Sequence, residues 1–421
     1  MKQLLYVCLD GLGDDPIPEF GGRTPLEAAT TPNLDRLAAE GKQGLVHTVG
    51  VDIAPESDIA VFAILGYDPR QDHPGRGVLE ALGSGMAFAD GELAHRINFA
   101  TQADGEIIDR RVGRDLPSQD AHALADEVNR ELRLADATFE LRATVEHRGA
   151  LVLRSTEGPL SAAVSNTDPA YAKEGSLGVA LEHFENRVAE ATPLEGSEEA
   201  ERSADLTNAF VEGAAKVLER AEVNRRREAE GRLPANLILT RDAGDHIPAL
   251  PPIRERFGPS WGSFVEMPVE RGIAMLLGMS PVDAPSGMPR REQYAAWAAL
   301  AAEALGGYDA IYVHIKGPDV PAHDGRAQDK LLVIQDIDEA FFGEVLPRID
   351  RRRTILAVTA DHSTSCVRKA HTAGPVPLLV AGPGVAADST SSFGEREASR
   401  GALGTLMGVE IVPNLVGLMR G

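Results

Sequence analysis

Cysteine is almost absent: Cys8 and Cys366 are the only two in 421 residues, which excludes a disulfide scaffold. Long hydrophobic runs are missing too. Nothing approaches the roughly 20 apolar residues that a helix needs to cross a bilayer. The apolar run in the N-terminal MKQLLYVCLDG is too short for a signal peptide and meets an acid at once. A soluble, cytoplasmic protein is expected. Positive charge is scarce as well, with 42 Lys and Arg against 64 Asp and Glu, a formal charge of −22. Such a surface repels nucleic acid and anionic membranes, so neither is an expected partner. A small anionic substrate is still compatible if a local arginine cluster holds it. Hydrophobic residues at 43% and charged residues at 25% are ordinary globular values and argue against wholesale disorder. The length calls for two or three domains.

LLYVCLD reads as a buried parallel strand ending at Asp10 and Gly11, because a short apolar run closed by acid and glycine carries that signature. TTPNLDRLAAEG predicts a short helix with Thr31 as N-cap, Pro32 at its first position, Leu34 and Leu37 on one face, and Gly41 at its end. SDIAVFAILG predicts an apolar helix with Ser57 as N-cap and Gly66 as its stop. Between residues 85 and 230 the texture changes. HRINFAT and EIIDRRVG, joined at Asp104-Gly105, predict a hairpin. A helix over 120–134, strands over 137–146 and 149–155, and a long charged helix over 198–230 follow. Alternation of strand and helix resumes at ANLILTRDAG and continues through a helix over 290–305, YDAIYVHI, an amphipathic helix over 327–344, ILAVTADH and VPLLVAG. The expected architecture is α/β: a discontinuous domain of residues 1–85 and 235–421, interrupted by a second α/β domain of residues 86–234.

Three clusters of possible metal ligands crowd the C-terminal part: Asp319 and His323 in HIKGPDVPAHDG, Asp361 and His362 in VTADHSTS, and His371 in KAHTAGPVPLLV. IYVHI and ILAVT read as buried parallel strands, which puts these side chains at strand C-termini, where open α/β sheets bind ligands. An acid and an imidazole directly after a buried strand must find compensation. Taken singly the signals are weak, since an Asp-Gly such as Asp10-Gly11 is most often only a turn and D-x-x-x-H is common on surface helices. Their recurrence at several strand ends points to a site. Imidazole mixed with carboxylate suits Zn, Mn, Co or Fe better than Mg or Ca. A two-metal hydrolytic or phosphoryl-transfer centre is therefore the first expectation. A serine at a helix start is usually a cap, yet Ser57 would there face the positive end of the helix dipole and free N–H groups, which favour an alkoxide and a bound phosphate. His47, His122 and His183 have no comparable context and read as ordinary residues.

In order along the chain, LDGLGDDPIPEFGGRTPLEAATTPNLDRLAAEG, SDIAVFAILGYDP, GRGVLEALG, HIKGPDVPAHDG and TADHSTSC resemble the archaeal-type, 2,3-bisphosphoglycerate-independent phosphoglycerate mutases of the alkaline phosphatase superfamily. The resemblance spans nearly the whole chain. It implies an alkaline-phosphatase-like three-layer α/β/α core with an inserted second α/β domain, and interconversion of 3- and 2-phosphoglycerate without a bisphosphoglycerate cofactor. Ser57 would be the nucleophile and become phosphorylated. Asp10, Ser57, Asp361 and His362 would hold one divalent ion, and Asp319, His323 and His371 the other, with Mn the expected metal and Co, Zn or Mg possible. The insert would bind glycerate through Asp109, Arg110, Arg111 and Arg114, with His147, Arg148, Asn224, Arg225 and Arg241 as further candidates, because arginine forks suit carboxylate and phosphate. In EVNRRREAEGR, Arg226 and Arg227 read instead as the solvated face of a helix. Retention of glycerate during transfer would need a water-poor cleft and hinges near residues 80–95 and 231–236.

Two departures from the family pattern stand out: Glu56 precedes the nucleophile where glycine is usual, and HTAGPVP replaces an HSGDPVP-like stretch after His371. Neither removes a ligand. A metal-dependent phosphatase, or a mutase of another phosphorylated acid, sugar or phosphonate, would share the same ligands. A sulfatase is disfavoured, since neither cysteine lies in a Cys-x-Pro-x-Arg context. A non-catalytic sensor of metal and phosphate would have little use for the serine.

Overall fold

The computed structural model describes residues 2–174, 177–181 and 183–421. Two compact units divide the chain: Met1–Asp72 with Leu250–Glu266 and Ile273–Gly421, and His73–Ala249 with Met267–Gly272.

The first unit is built on an eight-stranded sheet in the order Ser280–Pro281, Trp261–Phe264, Ala310–Ile315, Gln3–Leu9, Thr354–Thr359, Val376–Ala381, Lys42–His47 and Gly404–Met407. Every residue from Leu4 to Leu9 is fully buried, the state expected where both faces of a parallel sheet are covered. Helices Pro32–Glu40, Arg290–Ala304 and Ile411–Arg420 pack on its strands. Trp261–Phe264, Ala310–Ile315, Gln3–Leu9 and Thr354–Thr359 run parallel, so their C-termini share one edge; Asp10 directly follows Leu9, Asp361 comes two residues after Thr359, and Asp319 opens a short helix four residues beyond Ile315. Val376–Ala381 runs antiparallel to both neighbours. The Pro32–Glu40 helix starts after Thr31 with Pro32 first and buries Leu34 and Leu37, as its sequence predicts. Its first N–H groups are satisfied from elsewhere: Asp338 accepts from the backbone of Leu34 at 2.8 Å and Asn33 at 3.2 Å. Asp338 opens a π-turn, Asp338–Phe342, within the helical run that begins at Ala327.

The second unit contains a five-stranded antiparallel sheet centred on Leu93–Ala103, which pairs with Glu106–Asp109, Arg148–Ser155 and Leu237–Gly244. Asp104 and Gly105, both at positive φ, make the expected hairpin turn. Alternation along the central strand sorts its residues. Ile97 and Phe99 face a core shared with Ser118–Glu131 and Glu198–Leu218, while Ala94 joins Val78, Ala81, Ala150 and Val152 in a smaller cluster beneath helix Arg76–Gly83. This helix lies close to its neighbours, since a Cβ on Gly77 would come 2.1 Å from the Ala94 carbonyl oxygen and one on Gly83 1.7 Å from that of Pro268. The glycine spacing in GRGVLEALG thus has a packing cause.

Two expectations are corrected here. Leu237–Gly244, read as the resumption of the first domain, pairs along Leu93–Ala103, and residues 73–85 pack on that same sheet, so both belong to the second unit. Strand pairing decides this, and a run of apolar residues does not reveal its partner. The charged helix over 198–230 breaks into Glu198–Leu218 and Glu222–Ala229. Among the described residues no helix is long and apolar enough to cross a membrane.

His95 is 1% exposed on the core side of the central strand, with Nε2 3.1 Å from Thr207 Oγ1. That hydroxyl donates to the Ser203 carbonyl at 2.7 Å, so the imidazole is the donor to it. Burial lowers the His95 pKa from its ordinary 6.5 to about 3. The unfolded chain takes up this proton near 6.5 and the folded chain does not, so the contribution is complete above 6.5 and is lost as pH falls below it. Urea unfolding should show about 1.4 kcal/mol less stability at pH 5.5 than at pH 7.5 from this residue, and His95→Gln should remove that share of the difference.

Candidate functional site

At the C-terminal edge of the first sheet, all seven predicted ligands come together within one unit. Asp10, Asp361 and His362 are fully buried or nearly so, and Asp319 and Ser57 are 4% and 6% exposed. Gly11, at φ 63°, lets the chain turn directly after Asp10 and donates its N–H to Asp361 Oδ1 at 3.0 Å. A side chain there would collide with the site, because a Cβ would lie 2.8 Å from Asp319 Oδ1. Asp319 and His323 sit one turn apart on the short helix Asp319–His323. His371 arrives on a hairpin in which Ser363–Ser365 pairs with Ala370–Thr372, setting Thr364 opposite His371.

Ser57 is the first helical residue of Ser57–Ile64, and Glu56, one residue earlier, takes the N-cap position that the sequence suggested for the serine. Its Oγ lies 3.0 Å from His362 Nε2. The imidazole protons can be assigned from their partners. His371 Nδ1 meets the Pro55 carbonyl at 2.8 Å and His323 Nδ1 the Lys369 carbonyl at 3.3 Å, and a carbonyl can only accept. His362 Nδ1 meets Thr364 Oγ1 at 3.0 Å, and this hydroxyl already donates to Asp319 Oδ1 at 2.8 Å. Each ring therefore carries a proton on Nδ1, and in the neutral form it turns an Nε2 lone pair into the site. The Nε2 atoms of His323 and His371 face one another at 3.1 Å.

The carboxylates leave oxygens in the same place. Asp361 Oδ1 accepts from the backbone of Gly11 and His362, but its buried Oδ2 accepts no hydrogen bond and lies 3.3 Å from His362 Nε2. Asp10 Oδ2 receives Lys316 Nζ at 2.7 Å and faces His314 Nε2 at 3.0 Å, whereas its buried Oδ1 accepts none and lies 3.6 Å from His362 Nε2. Burial and then the Asp10 charge raise the Asp361 carboxyl to about 7. Burial would raise Asp10 also, but Lys316 brings it down to about 2. Burial and His371 hold His362 down, at about 3, so its ring is neutral.

Opposed lone pairs, orphaned carboxylate oxygens and a proton shared into a crowded acid pair are what a cation would relieve. The residues fit a metal. Among the described residues, three groups have ligand atoms within 4.8 Å of one another: Asp319, His323 and His371; Asp10, Asp319 and His362; and Asp10, His314 and Asp361.

The second unit gathers cations. Burial, Arg241 and Arg76 bring the Arg96 guanidinium down to about 9. Burial, Arg148, Arg111, Arg96 and Arg114 bring His147 down to about 3. Burial also lowers Arg111 and Arg148, opposed by Tyr171 for the first and Glu146 for the second. Arg241 stacks 3.7 Å above the Tyr171 ring. Backbone strain concentrates here, with positive φ at Val112, Arg114, Glu146 and Asp242.

Three of the residues proposed to meet substrate already have partners within the protein, and a fourth is exposed. Asp109 accepts from the Arg111 N–H at 2.7 Å, and the Arg110 fork is occupied by Asp168 at 2.8 and 2.5 Å. Asn224 is corrected to a structural role: it is 1% exposed, and its amide spans Leu218 and Ala235 through three backbone hydrogen bonds of 2.8–3.0 Å. Arg225 is exposed on Glu222–Ala229. Arg226 is exposed and pairs with Asp120 at 2.6 Å, as a solvated face predicts, but Arg227 is fully buried and donates to Leu233, Asp115 and the Asp115 carboxylate. Sequence reading missed Lys316, His314 and Thr364 around the ligands, and Arg76 and Arg96 in the cation cluster. Arg96 and Asn98 did leave a signal, since two polar residues at period two lie on one face of the strand.

Comparison with known proteins gives the family. A family model for 2,3-bisphosphoglycerate-independent phosphoglycerate mutase matches residues 38–224. The enzyme of that name from Aeropyrum pernix is 43% identical over 427 aligned positions, covering 100% of both chains. A solved protein from Pyrococcus horikoshii superposes with a TM-score of 0.81 at 31% identity, covering 100% of this chain and 97% of that one. The cofactor-independent phosphoglycerate mutase from Thermoplasma acidophilum gives 0.65 at 32% identity, with 100% of both chains covered. With a relative this similar along its full length, the chain belongs to the 2,3-bisphosphoglycerate-independent phosphoglycerate mutases, a family of isomerases.

Proposed function

We propose that this protein interconverts 3-phosphoglycerate and 2-phosphoglycerate through a phosphoserine at Ser57, with two divalent cations held by the seven ligands, five of them buried. The observation that carries the reading is the convergence of three imidazole Nε2 atoms and two orphaned carboxylate oxygens at one strand edge, with Ser57 Oγ 3.0 Å from the Nε2 of His362. Asp10, Ser57, Asp361 and His362 would hold one cation, and Asp319, His323 and His371 the other. The nitrogen-rich second set favours a transition metal such as Mn, Co or Zn over Mg. Bound cations would supply Lewis-acid stabilisation of phosphoryl oxygens and a lowered pKa for the serine hydroxyl.

Ser57 Oγ attacks phosphorus in line, forming the serine ester as the bond to the glycerate oxygen breaks and that oxygen takes a proton. The other glycerate hydroxyl then attacks phosphoserine and restores Ser57. His362 and the start of helix Ser57–Ile64 fix the direction of Oγ. Lys316, donating to Asp10 Oδ2 and 3.1 Å from Asp319 Oδ2, holds the two carboxylates in register. In the second unit, Arg96, Arg111, Arg148 and Arg241 are assigned to the carboxylate and phosphate of a small anionic substrate. Mutual repulsion in that cluster, within a chain of charge −22, supports the assignment. Retention of glycerate separates a mutase from a phosphatase.

Phosphorus NMR on 3-phosphoglycerate tests the reading: 2-phosphoglycerate should form with Mn2+ present, cease with chelator and return on add-back, and Ser57→Ala should be inactive. Unaltered isomerisation by Ser57→Ala would exclude the covalent route, and inorganic phosphate as the main product would make the protein a phosphatase. Arg241→Met should lose about 10- to 100-fold in kcat/KM, the value of one charged hydrogen-bond partner, while exposed Arg225→Met stays at the wild-type value. Steady-state kinetics of the two variants distinguishes a substrate cluster from a structural one.

A further inference from the structure

We propose that Thr364 is a positioning residue that ties the two ligand groups together, its one hydroxyl fixing the ring of His362 and orienting the carboxylate of Asp319. The inference rests on the two-cation reading above and adds a residue to it. Thr364 is fully buried. A hydroxyl has a single hydrogen, and here it goes to Asp319 Oδ1 at 2.8 Å, so the contact of 3.0 Å with His362 Nδ1 must be donated by the ring. This is the only tautomer that leaves the Nε2 lone pair for Ser57. One oxygen thus sets the orientation of a ligand from each proposed cation site, the outer-shell arrangement that fixes ring orientation in metal sites generally.

The threonine is itself held. Its N–H donates to the Gly13 carbonyl at 2.9 Å, and its carbonyl accepts from Lys330 Nζ at 2.9 Å. Lys330 is fully buried and also donates to the Gly13 carbonyl and Asp14 Oδ2, each at 2.9 Å. The lysine therefore clamps the loop after the first strand to the Ser363–Ser365 strand and delivers Thr364 to its place. Space for the hydroxyl is left by Gly11, where a Cβ would approach Thr364 Oγ1 to 2.6 Å.

The test compares wild type, Thr364→Val, which keeps the shape, and Thr364→Ser, which keeps the hydroxyl. Long-range proton–nitrogen NMR on the metal-free full chain reads the His362 tautomer, and calorimetry with Mn2+ alone reads binding at both sites. Wild type and Thr364→Ser should show Nδ1–H at His362 and Mn2+ affinities within about threefold of each other, while Thr364→Val should lose that tautomer and weaken both sites by roughly 10- to 100-fold. Two results would overturn the proposal: an Nε2–H ring in the wild-type protein, which needs no variant to fold, or a Thr364→Val that retains Nδ1–H and both affinities. Failure of wild type to bind Mn2+ at all would count against the two-cation reading instead, with the tautomer still deciding the role of Thr364.

Discussion

Three carboxylates buried beside the lone pairs of three imidazoles form the arrangement on which the first unit depends. Charge of this density is unfavourable in a protein interior unless it is matched. Lys316 matches part of it through Asp10 and Asp319, and the rest falls on a proton near neutrality at Asp361 or on cations. The backbone is built to tolerate the arrangement: parallel strands end together, Gly11 turns without a side chain, and Lys330 binds two loops from the interior.

The second unit presents the complementary problem. In a strongly acidic chain it brings Arg76, Arg96, Arg111, Arg148 and Arg241 close enough to act on one another's charge, near residues whose backbone sits in the left-handed region. Asp168 holds Arg110 through two hydrogen bonds, while Glu146 lies 3.6 Å from Arg148, Asp242 3.5 Å from Arg241 and Glu80 4.0 Å from Arg96. Repulsion among the remaining guanidinium groups is tolerable when an anion completes the set. The strain at Val112 and Arg114 and the crowding of charge occur in the same place, which is where a protein stores cost for function rather than for stability.

Much of this was legible in the sequence because the signals are local. Asp10 follows a continuous apolar run, Thr31 and Pro32 announce a helix, and Asp104-Gly105 announces a hairpin. What was not legible depends on distant partners. ANLILTRDAG is an apolar strand whichever sheet receives it, and its pairing with Leu93–Ala103 is set across more than a hundred residues of chain. Asn224 reads as a substrate candidate and Arg227 as part of a solvated helix face until the backbone of Leu218, Leu233 and Ala235 closes around them. Thr364 reads as a small polar residue after a metal-type pair, and only the folded hairpin shows its hydroxyl between His362 and Asp319.

The central claim is that the Nε2 atoms and free carboxylate oxygens are cation ligands in two separate sets. Anomalous diffraction at the Mn edge from metal-loaded crystals tests it most directly. Two peaks are predicted, one in contact with Asp10, Ser57, Asp361 and His362, the other with Asp319 and the Nε2 atoms of His323 and His371. A single peak, or ions bound elsewhere with these imidazoles still facing one another, would contradict the account.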